Sequence, residues 1–276
     1  MTFAVCYHHT GRSRYCAQAM AAGIRRCGGR VELRQRWHGE TDGDVVVAYG
    51  WRNLAMFEAY RAAGKPFVYL DMGYWHRRPR GTIFRGYHKV VVNARDPFAY
   101  FRRGHPDDRL RQLRIRIEPW RTGGDHILLA GMSAKSAWHY GYGPEAWETK
   151  AIARLRKHTS RPIVYRPKPS WPGARPIAGA DFADPKTPLA SALDGAWAVV
   201  THHSNVGVDA LVAGVPVYSV KGLASTMSFR LDEIEDPPFA PDRAGFLADV
   251  AYCQWSATEM ESGACWRHLR GQRLVP

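Results

Sequence analysis

Residues 196–220 read AWAVVTHHSNVGVDALVAGVPVYSV, and they predict a strand, a helix and a second strand in succession. The run from Trp197 to Thr201 is short, apolar and rich in β-branched residues, which is typical of a strand buried on both faces. A helix is expected to begin near Val206 and to end at Gly214, because a glycine followed closely by a proline commonly ends a helix and lets a strand begin. This unit indicates an α/β fold.

The same alternation of short apolar runs and helical runs continues through most of the chain. The N-terminal part predicts strands at 2–7, 31–36, 44–49 and 67–70, with helices at 13–26 and 52–63. The remainder predicts strands at 89–93, 126–130 and 163–165, a helix at 144–158, and terminal helices at 239–250 and 251–269. Such alternation indicates βαβ units, whose sites lie in the loops beyond the carboxyl ends of the strands.

The charge balance is strongly basic. The chain of 276 residues has 39 Lys and Arg against 25 Asp and Glu, a net charge of +14, which indicates a polyanionic partner such as nucleic acid or an anionic membrane face. Residues 77–121 hold thirteen of these cations and only four acids, with aromatic residues between them that could stack on bases. A solvated basic surface over an aromatic core is the alternative, and GC-rich coding also favours arginine.

Bulk features exclude several classes of protein. The five cysteines form no Cys-x-x-Cys pair, which favours reduced thiols in a cytoplasm over a disulfide scaffold or a zinc ribbon. The first residues do not resemble a secretory signal, and no apolar run is long enough to span a membrane. We therefore expect a cytoplasmic protein without stable membrane association.

Asp71 is the candidate catalytic residue. It follows the apolar run PFVYL directly, so it should project from the carboxyl edge of the first sheet. A carboxylate in this place could accept the proton of an attacking hydroxyl as a general base. The alternative is a turn-forming or helix-capping aspartate, which is what most aspartates at strand ends are.

Candidate phosphate- and sugar-binding residues follow three strands of the C-terminal half. Free N–H groups are expected where the helix near Val206 begins, and they favour a phosphate or a sugar hydroxyl. Small residues with a lysine after the strand at 126–130 could hold a diphosphate, and prolines around Arg166 and Lys168 should aim both cations one way. The candidate residues for binding phosphate or sugar are Gly131, Ser133, Lys135, Arg166, Lys168, His202, His203, Ser204, Asn205 and Asp209, and the Asp209 carboxylate could accept hydrogen bonds from two ribose hydroxyls. A capped helix and an exposed basic loop are the alternatives.

These residues resemble the nucleotide-sugar-binding half of GT-B glycosyltransferases. In capsule-polysaccharide-type transferases a Ser/Thr-rich elbow precedes a helix with an acidic residue and then Leu-x-x-Gly-x-Pro-Val. The matching residues are Ser204, Asn205, Gly207, Asp209, Leu211, Gly214, Pro216 and Val217. The family's His-Pro motif is not kept, because Lys168 stands where the histidine would be.

A second resemblance is to the phage DNA β-glucosyltransferases. It rests on where single residues stand relative to the strands and on short patterns, not on continuous sequence. Their base aspartate also follows the fourth strand of the N-terminal domain, and Asp71 is the matching position here. Gly131, Ser133 and Lys135 occupy the place of their Gly-Ser-rich diphosphate turn.

Together the resemblances imply a GT-B-like α/β fold with two Rossmann-like domains facing across a cleft. Residues 1–120 would form the acceptor domain with a basic insertion at 76–121, and residues 121–250 the nucleotide-sugar domain. A helix within 251–276 would pack back towards the first domain, and 118–125 (EPWRTGGD) would be the linker.

The predicted activity is inverting hexosyl transfer from a UDP-sugar to a hydroxymethylated pyrimidine, such as 5-hydroxymethylcytosine, in double-stranded bacteriophage DNA. The enzyme would be a monomer in the cytoplasm of the infected bacterium, without a cofactor or a bound metal. The residues expected to contact the acceptor or DNA are His9, Tyr74, Trp75, Arg77, Arg78, Arg80, Arg85, Arg102 and Arg103. Two alternatives stay open: a transferase of cell-surface polysaccharide or lipopolysaccharide, and a non-catalytic DNA-binding protein.

Overall fold

The computed structural model describes residues 1–9, 11–77, 86–98, 103–237 and 243–276. Its strands are β1 Phe3–Tyr7, β2 Arg30–Arg34, β3 Val45–Tyr49, β4 Phe67–Met72, β5 Tyr87–Val92, β6 His126–Ala130, β7 Ile163–Arg166, β8 Asp181–Phe182, β9 Ala196–Thr201, β10 Val217–Ser219 and β11 Gln254–Ser256. Its helices are α1 Gly11–Arg26, α2 Leu54–Ala62, α3 Asp108–Gln112, α4 Ala134–His139, α5 Ala146–Leu155, α6 Leu189–Leu193, α7 Val206–Val212, α8 Arg243–Ala251, α9 Ala257–Glu261 and α10 Ala264–Gly271.

The chain divides into two compact units. The first unit comprises Met1–His105 together with Asp249–Pro276, and the second comprises Pro106–Ala248. The chain thus enters the second unit earlier than the boundary predicted at residue 120, and its C-terminal stretch belongs to the first unit.

The first unit is built on a six-stranded sheet in the order β11-β5-β4-β3-β1-β2. Strands β1 to β4 pair in parallel, while β5 runs antiparallel to both β4 and β11. Residues Cys16, Met20 and Ile24, spaced four apart, form the buried face of α1 against one side of this sheet. Phe57 and Tyr60 of α2 are buried against the other side. Layers of helix on both faces of a mostly parallel sheet confirm the α/β class that the alternation predicted.

The second unit is built on a five-stranded parallel sheet in the order β10-β9-β6-β7-β8. The central strands β6 and β9 are almost wholly buried, as their continuous apolar sequences require. The predicted strand, helix and strand within residues 196–220 are present as β9, α7 and β10. In both sheets the carboxyl ends of the parallel strands collect the loops that the sequence singled out.

Two predicted segments, residues 118–125 and 251–269, have a different structure from the one expected. Residues 251–269 do not form one helix, because Gln254–Ser256 pairs with β5 as an edge strand before α9 and α10 begin. Residues 118–125 are not a free linker, because they pack on the second unit: the N–H of Glu118 donates to Val212 O at 2.9 Å and that of Arg121 to Gly214 O at 2.8 Å.

Across the part of the chain that the structure describes, no helix combines the length and the apolar character needed to cross a membrane.

Candidate active site

The carboxyl ends of β1, β3 and β4 lie side by side in the first unit and are joined by hydrogen bonds. Asn53, which is buried, donates from Nδ2 to Tyr49 O at 3.0 Å and to Gly50 O at 3.2 Å. Its Oδ1 lies 3.1 Å from Nε2 of the exposed His9, and the N–H of Gly50 donates to Leu70 O at 2.9 Å. The loops after three strands therefore form one continuous surface, and His9 lies on it as predicted.

Asp71 lies at the carboxyl end of β4 and is partly exposed on this surface. Its Oδ2 accepts a 2.5 Å hydrogen bond from the Tyr69 hydroxyl, and its Oδ1 accepts a 2.8 Å bond from the N–H of Met72. Each carboxylate oxygen can accept more than one hydrogen bond, so both retain capacity for a further donor. Two hydrogen bonds thus hold the Asp71 carboxylate in place and leave it partly exposed, while its role as a general base stays a prediction.

Tyr69 was not among the residues predicted from the sequence. Burial first, and the charge of Asp71 second, raise the pKa of Tyr69 far above its usual range, so its hydroxyl stays protonated and keeps donating. The sequence could have predicted this contact, because residues two apart on a strand have their side chains on the same face. A phenol two residues before a strand-end aspartate indicates a partner for that aspartate.

A buried polar group lies on the opposite face of the same strand ends. His88 on β5 is opposite Met72 and packs edge to face on Tyr49, with ring centroids 5.9 Å apart. Burial first, and the charge of Arg12 second, lower the pKa of His88 to about 4, so the imidazole is neutral at pH 7. Arg12 reaches the same place, where its Nη1 donates to Met72 Sδ at 3.2 Å.

Tyr74 and Trp75 are not surface residues. Both side chains are buried, and the N–H groups of both residues donate to Gln254 Oε1 at 2.7 and 3.0 Å. The Lys89 ammonium lies 4.8 Å from the centre of the Tyr74 ring. The prediction that these two aromatic residues stack on an acceptor or a base is therefore wrong for this conformation, since neither ring is accessible.

The basic segment is partly internal. Lys89 is buried and bonds Asp96 at 3.0 Å, and Arg109 is buried as well. Arg77 is half-buried, while the exposed Arg103 donates to Gln272 Oε1 at 2.8 Å. The predicted contacts Arg78, Arg80, Arg85 and Arg102 lie outside the described residues.

In the second unit, Gly131 lies where β6 ends. Its N–H donates to Arg166 O at 3.0 Å, which joins the ends of β6 and β7. A side chain at this position would meet the Tyr165 ring at 2.7 Å and Glu148 Oε1 at 3.3 Å. Close packing beside the strand end is thus sufficient to explain why glycine stands here.

Ser133 and Lys135 lie just beyond that strand end. Ser133 caps α4, where its Oγ accepts from the Ser136 N–H at 3.2 Å, and Lys135 is exposed in the first turn of that helix. Of the three residues predicted for the diphosphate turn, Lys135 presents a charged group to solvent.

Glu148 is a buried acid at the same strand end that the sequence did not reveal. Only 3% of it is exposed, and its Oε1 accepts a 2.6 Å bond from the N–H of Met132. Burial raises the pKa of this carboxyl, partly offset by the Met132 bond. A lone glutamate on an amphipathic helix carries no sequence signal for this placement.

Arg166 and Lys168 do not share one environment. Arg166 is buried at the end of β7 and donates from Nη2 to Thr187 O at 2.9 Å, and burial lowers its pKa. Lys168 is exposed. The expectation that the flanking prolines aim both cations one way is wrong in this respect.

His202 is buried in an aromatic group at the end of β9. Its ring centroid lies 4.5 Å from that of Tyr140 and 5.6 Å from that of Trp147. Burial first, and Lys221 second, lower its pKa to about 4, so it is neutral at pH 7 and supplies no charge to a phosphate. His203 is half-buried, and its Nδ1 lies 3.0 Å from that of His202.

The start of α7 differs from the expected anion site. The N–H of Val206 donates to Ser204 Oγ, that of Gly207 to Ser204 O, and those of Val208 and Asp209 to Asn205 O. These four N–H groups are satisfied inside the turn, so the prediction that they stand free for a phosphate is wrong. Asp209 is half-buried in the first turn of the helix.

The described residues contain no group of three or more His, Cys, Asp or Glu side chains that could hold a metal ion. Asp42 and Asp44 have an Asp-x-Asp spacing, but both are held by structural contacts. Asp42 pairs with Arg34 at 2.6 Å, and Asp44 accepts from the N–H of Phe3 at 2.7 Å.

Two solved structures, both of transferases, are similar to the chain over nearly its whole length. The chain is similar to the β-Kdo 2,4-transferase of Thermosulfurimonas dismutans KpsC, with a TM-score of 0.56 and 13% identity, over 90% of each chain. It is also similar to the β-Kdo 2,7-transferase of the same KpsC, with a TM-score of 0.58 and 16% identity, over 97% of this chain and 100% of that chain. These likenesses show that the chain has the GT-B fold that was predicted.

No protein-family model matches the chain. No curated protein matches it either.

Proposed function

We propose that the chain is a glycosyltransferase that moves a sugar from a nucleotide-sugar to a hydroxyl of a saccharide acceptor. The observation that carries this proposal is the likeness to two sugar transferases, which extends over both units and nearly the whole of each chain. Both of these neighbours are named for transfer of Kdo, and neither name mentions nucleic acid. A saccharide acceptor is therefore favoured over DNA.

The proposed reaction is a single displacement at the anomeric carbon of the donor sugar. The acceptor oxygen forms a bond to that carbon, the bond from the carbon to the nucleotide's phosphate oxygen breaks, and the acceptor proton passes to Asp71. The accessible carboxylate, oriented by Tyr69 and by the N–H of Met72, supports this role. A single displacement of this kind inverts the configuration of the anomeric carbon.

The donor would bind at the carboxyl edge of the second sheet. Lys135 and Lys168 are exposed cations beside that edge, and they are the residues we propose to stabilise the leaving phosphate. Asp209 is retained as the proposed ribose contact. Arg166 and His202 would act indirectly, since both are buried and hold the ends of β7 and β9.

The test is transfer of labelled sugar from a panel of nucleotide-sugars, with UDP-sugars first, to saccharide acceptors. Asp71→Asn should reduce kcat about 100- to 10,000-fold, as expected from the loss of a general base, without loss of the folded state. Asp181→Asn is the matched control, because Asp181 is an exposed aspartate on the edge strand β8. Equal activity of the two variants would refute the role of Asp71 as general base. Absence of transfer from every donor would refute the proposal that the chain is a glycosyltransferase.

Modified DNA is the second candidate acceptor, favoured by the net charge of +9 in residues 77–121. It enters the same assay as duplex DNA containing 5-hydroxymethylcytosine or 5-hydroxymethyluracil, with unmodified DNA as the control. Transfer to modified DNA alone would replace the saccharide proposal. Salt-sensitive DNA binding without transfer from any donor would favour a non-catalytic DNA-binding protein.

A further inference from the structure

A pocket of about 650 Å³ lies at the amino edge of β4 in the first unit, at the opposite end of that strand from Asp71. It is formed by the loop before β4, by Asn93 after β5, and by the residues that end α10 and follow it. Six strand residues separate its edge from the catalytic edge, which is roughly 15–20 Å at 3.3 Å per residue. The pocket is therefore separate from the site of the proposed reaction and does not depend on it.

Four cationic side chains line this pocket: Arg61, Lys65, Arg270 and Arg273. Among the described residues that line it there is no Asp or Glu side chain. Arg61 donates to Asn93 O at 3.3 Å and Lys65 donates to Thr41 O at 2.7 Å, and both acceptors are neutral carbonyl oxygens. The four charges are gathered in one place, and none of the described lining residues supplies an acidic side chain to neutralise them.

The carboxyl ends of two helices offset only part of this positive charge. Helices α2 and α10 both end at the pocket, and a helix carboxyl terminus carries about half a negative charge. Two such ends offset about one of the four positive charges. A terminal carboxylate on Pro276, whose carbonyl oxygen accepts from the Thr2 hydroxyl, would offset one more. A net charge of about +2 or more remains.

The backbone also places one of these cations at some cost. Arg273 follows the last turn of α10 with φ of 56°, a left-handed conformation that glycine adopts there without strain. An arginine in this conformation costs about 1 kcal/mol. The position that would ordinarily end the helix with glycine instead presents a guanidinium to the pocket.

We propose that this pocket binds a phosphate ester. Guanidinium groups match phosphate oxygens with paired N–H donors, and three of the four cations are arginines. The volume lies within the range of small-molecule sites, and it suits a phosphorylated small molecule or a phospholipid headgroup. Both sources present the same chemistry to the four cations.

The test measures binding of inorganic pyrophosphate, by calorimetry at low ionic strength, to the whole chain and to two double variants. Arg61→Gln with Arg273→Gln removes two pocket cations whose side chains are exposed, so the fold should not change. Arg154→Gln with Lys157→Gln is the charge-matched control, because both residues are exposed in the second unit. The pocket variant should bind at least about tenfold more weakly, as loss of two charge-assisted contacts requires, and the control should bind like the parent.

Vesicles of phosphatidylcholine with and without phosphatidylglycerol distinguish the two sources. Binding to phosphatidylglycerol vesicles that the pocket variant loses and the control keeps would identify a lipid headgroup as the ligand. Pyrophosphate binding with the same pattern, without vesicle binding, would identify a free phosphate ester. Equal binding by all three proteins would place the anion elsewhere and overturn the proposal, as would binding of neither probe.

Discussion

Replacement of Gly214 by alanine should destabilise the second unit far more than its backbone conformation alone explains. Gly214 has φ of 73°, and an added Cβ would lie 1.9 Å from Pro119 O and 2.9 Å from Pro119 C. These are backbone atoms, so no side-chain rotation relieves the overlap. The segment that carries Pro119 must move.

The expected cost has two parts. The left-handed conformation costs alanine about 1 kcal/mol relative to glycine. Displacement of the segment breaks the hydrogen bonds that hold it, from the Glu118 N–H to Val212 O and from the Arg121 N–H to Gly214 O. Each is worth about 1 kcal/mol, so the total loss is about 3 kcal/mol.

Gly141→Ala is the matched control, because Gly141 has φ of 72° in the same unit and no atom within 4 Å of the added Cβ. Urea unfolding followed by tryptophan fluorescence would give both free energies, and the entropic gain of Gly→Ala in the unfolded chain cancels in their difference. Gly214→Ala should be about 2 kcal/mol less stable than Gly141→Ala. Equal stabilities would refute the close packing of residues 118–121 on the rest of the second unit. They would support the free linker that the sequence predicted.

Three further predictions concern single side chains. Tyr69→Phe should lower kcat about 10- to 100-fold with little change in KM, because a hydrogen bond to a charged group is worth about 1.5–3 kcal/mol. An unchanged kcat would exclude Tyr69 as the residue that positions Asp71. Glu148→Gln should flatten the dependence of stability on pH. Burial raises the pKa of Glu148 in the folded protein, so the parent protein loses stability as the pH rises from 4.5, the ordinary pKa, through the raised pKa. Thermal melts at pH 5 and pH 8 would measure this loss in the parent and in the variant. Gln254→Leu should cost about 2–6 kcal/mol, since two buried backbone N–H groups lose their acceptor, and chemical unfolding that shows less than about 1 kcal/mol would contradict the buried arrangement.

The parts of the fold that the sequence predicted well are the central parallel strands. Their apolar runs are continuous because both faces are covered, so β6 was predicted without error and β9 within one residue. The prediction of α7 and β10 rested on local chemistry, a glycine and a proline that end one element and begin the next. Local signals of this kind do not depend on distant residues, and the structure agrees with them.

The errors arise where distant residues decide the structure. Gln254–Ser256 is too short to show strand periodicity, and it becomes a strand because β5 offers an unpaired edge. The same strand supplies the Gln254 oxygen that holds Tyr74 and Trp75 inside the protein. A sequence reading therefore placed two aromatic residues on the surface because their partner stands about 180 positions away.

Distant contacts also decide which of the charged residues in the candidate sites are exposed, and the net charge of a segment does not show this. A count over residues 77–121 gives equal weight to every cation, yet Lys89 of that segment is buried against Asp96. Arg61 and Arg273 lie outside the segment and attract no notice in the sequence, but the return of α10 to the first unit brings them into one pocket. Bulk charge therefore predicts an anionic partner, while the fold decides which cations are exposed to bind one. The position of Asp71 could be predicted because strand exits are a local feature; the basic pocket could not, because its residues meet only through the topology.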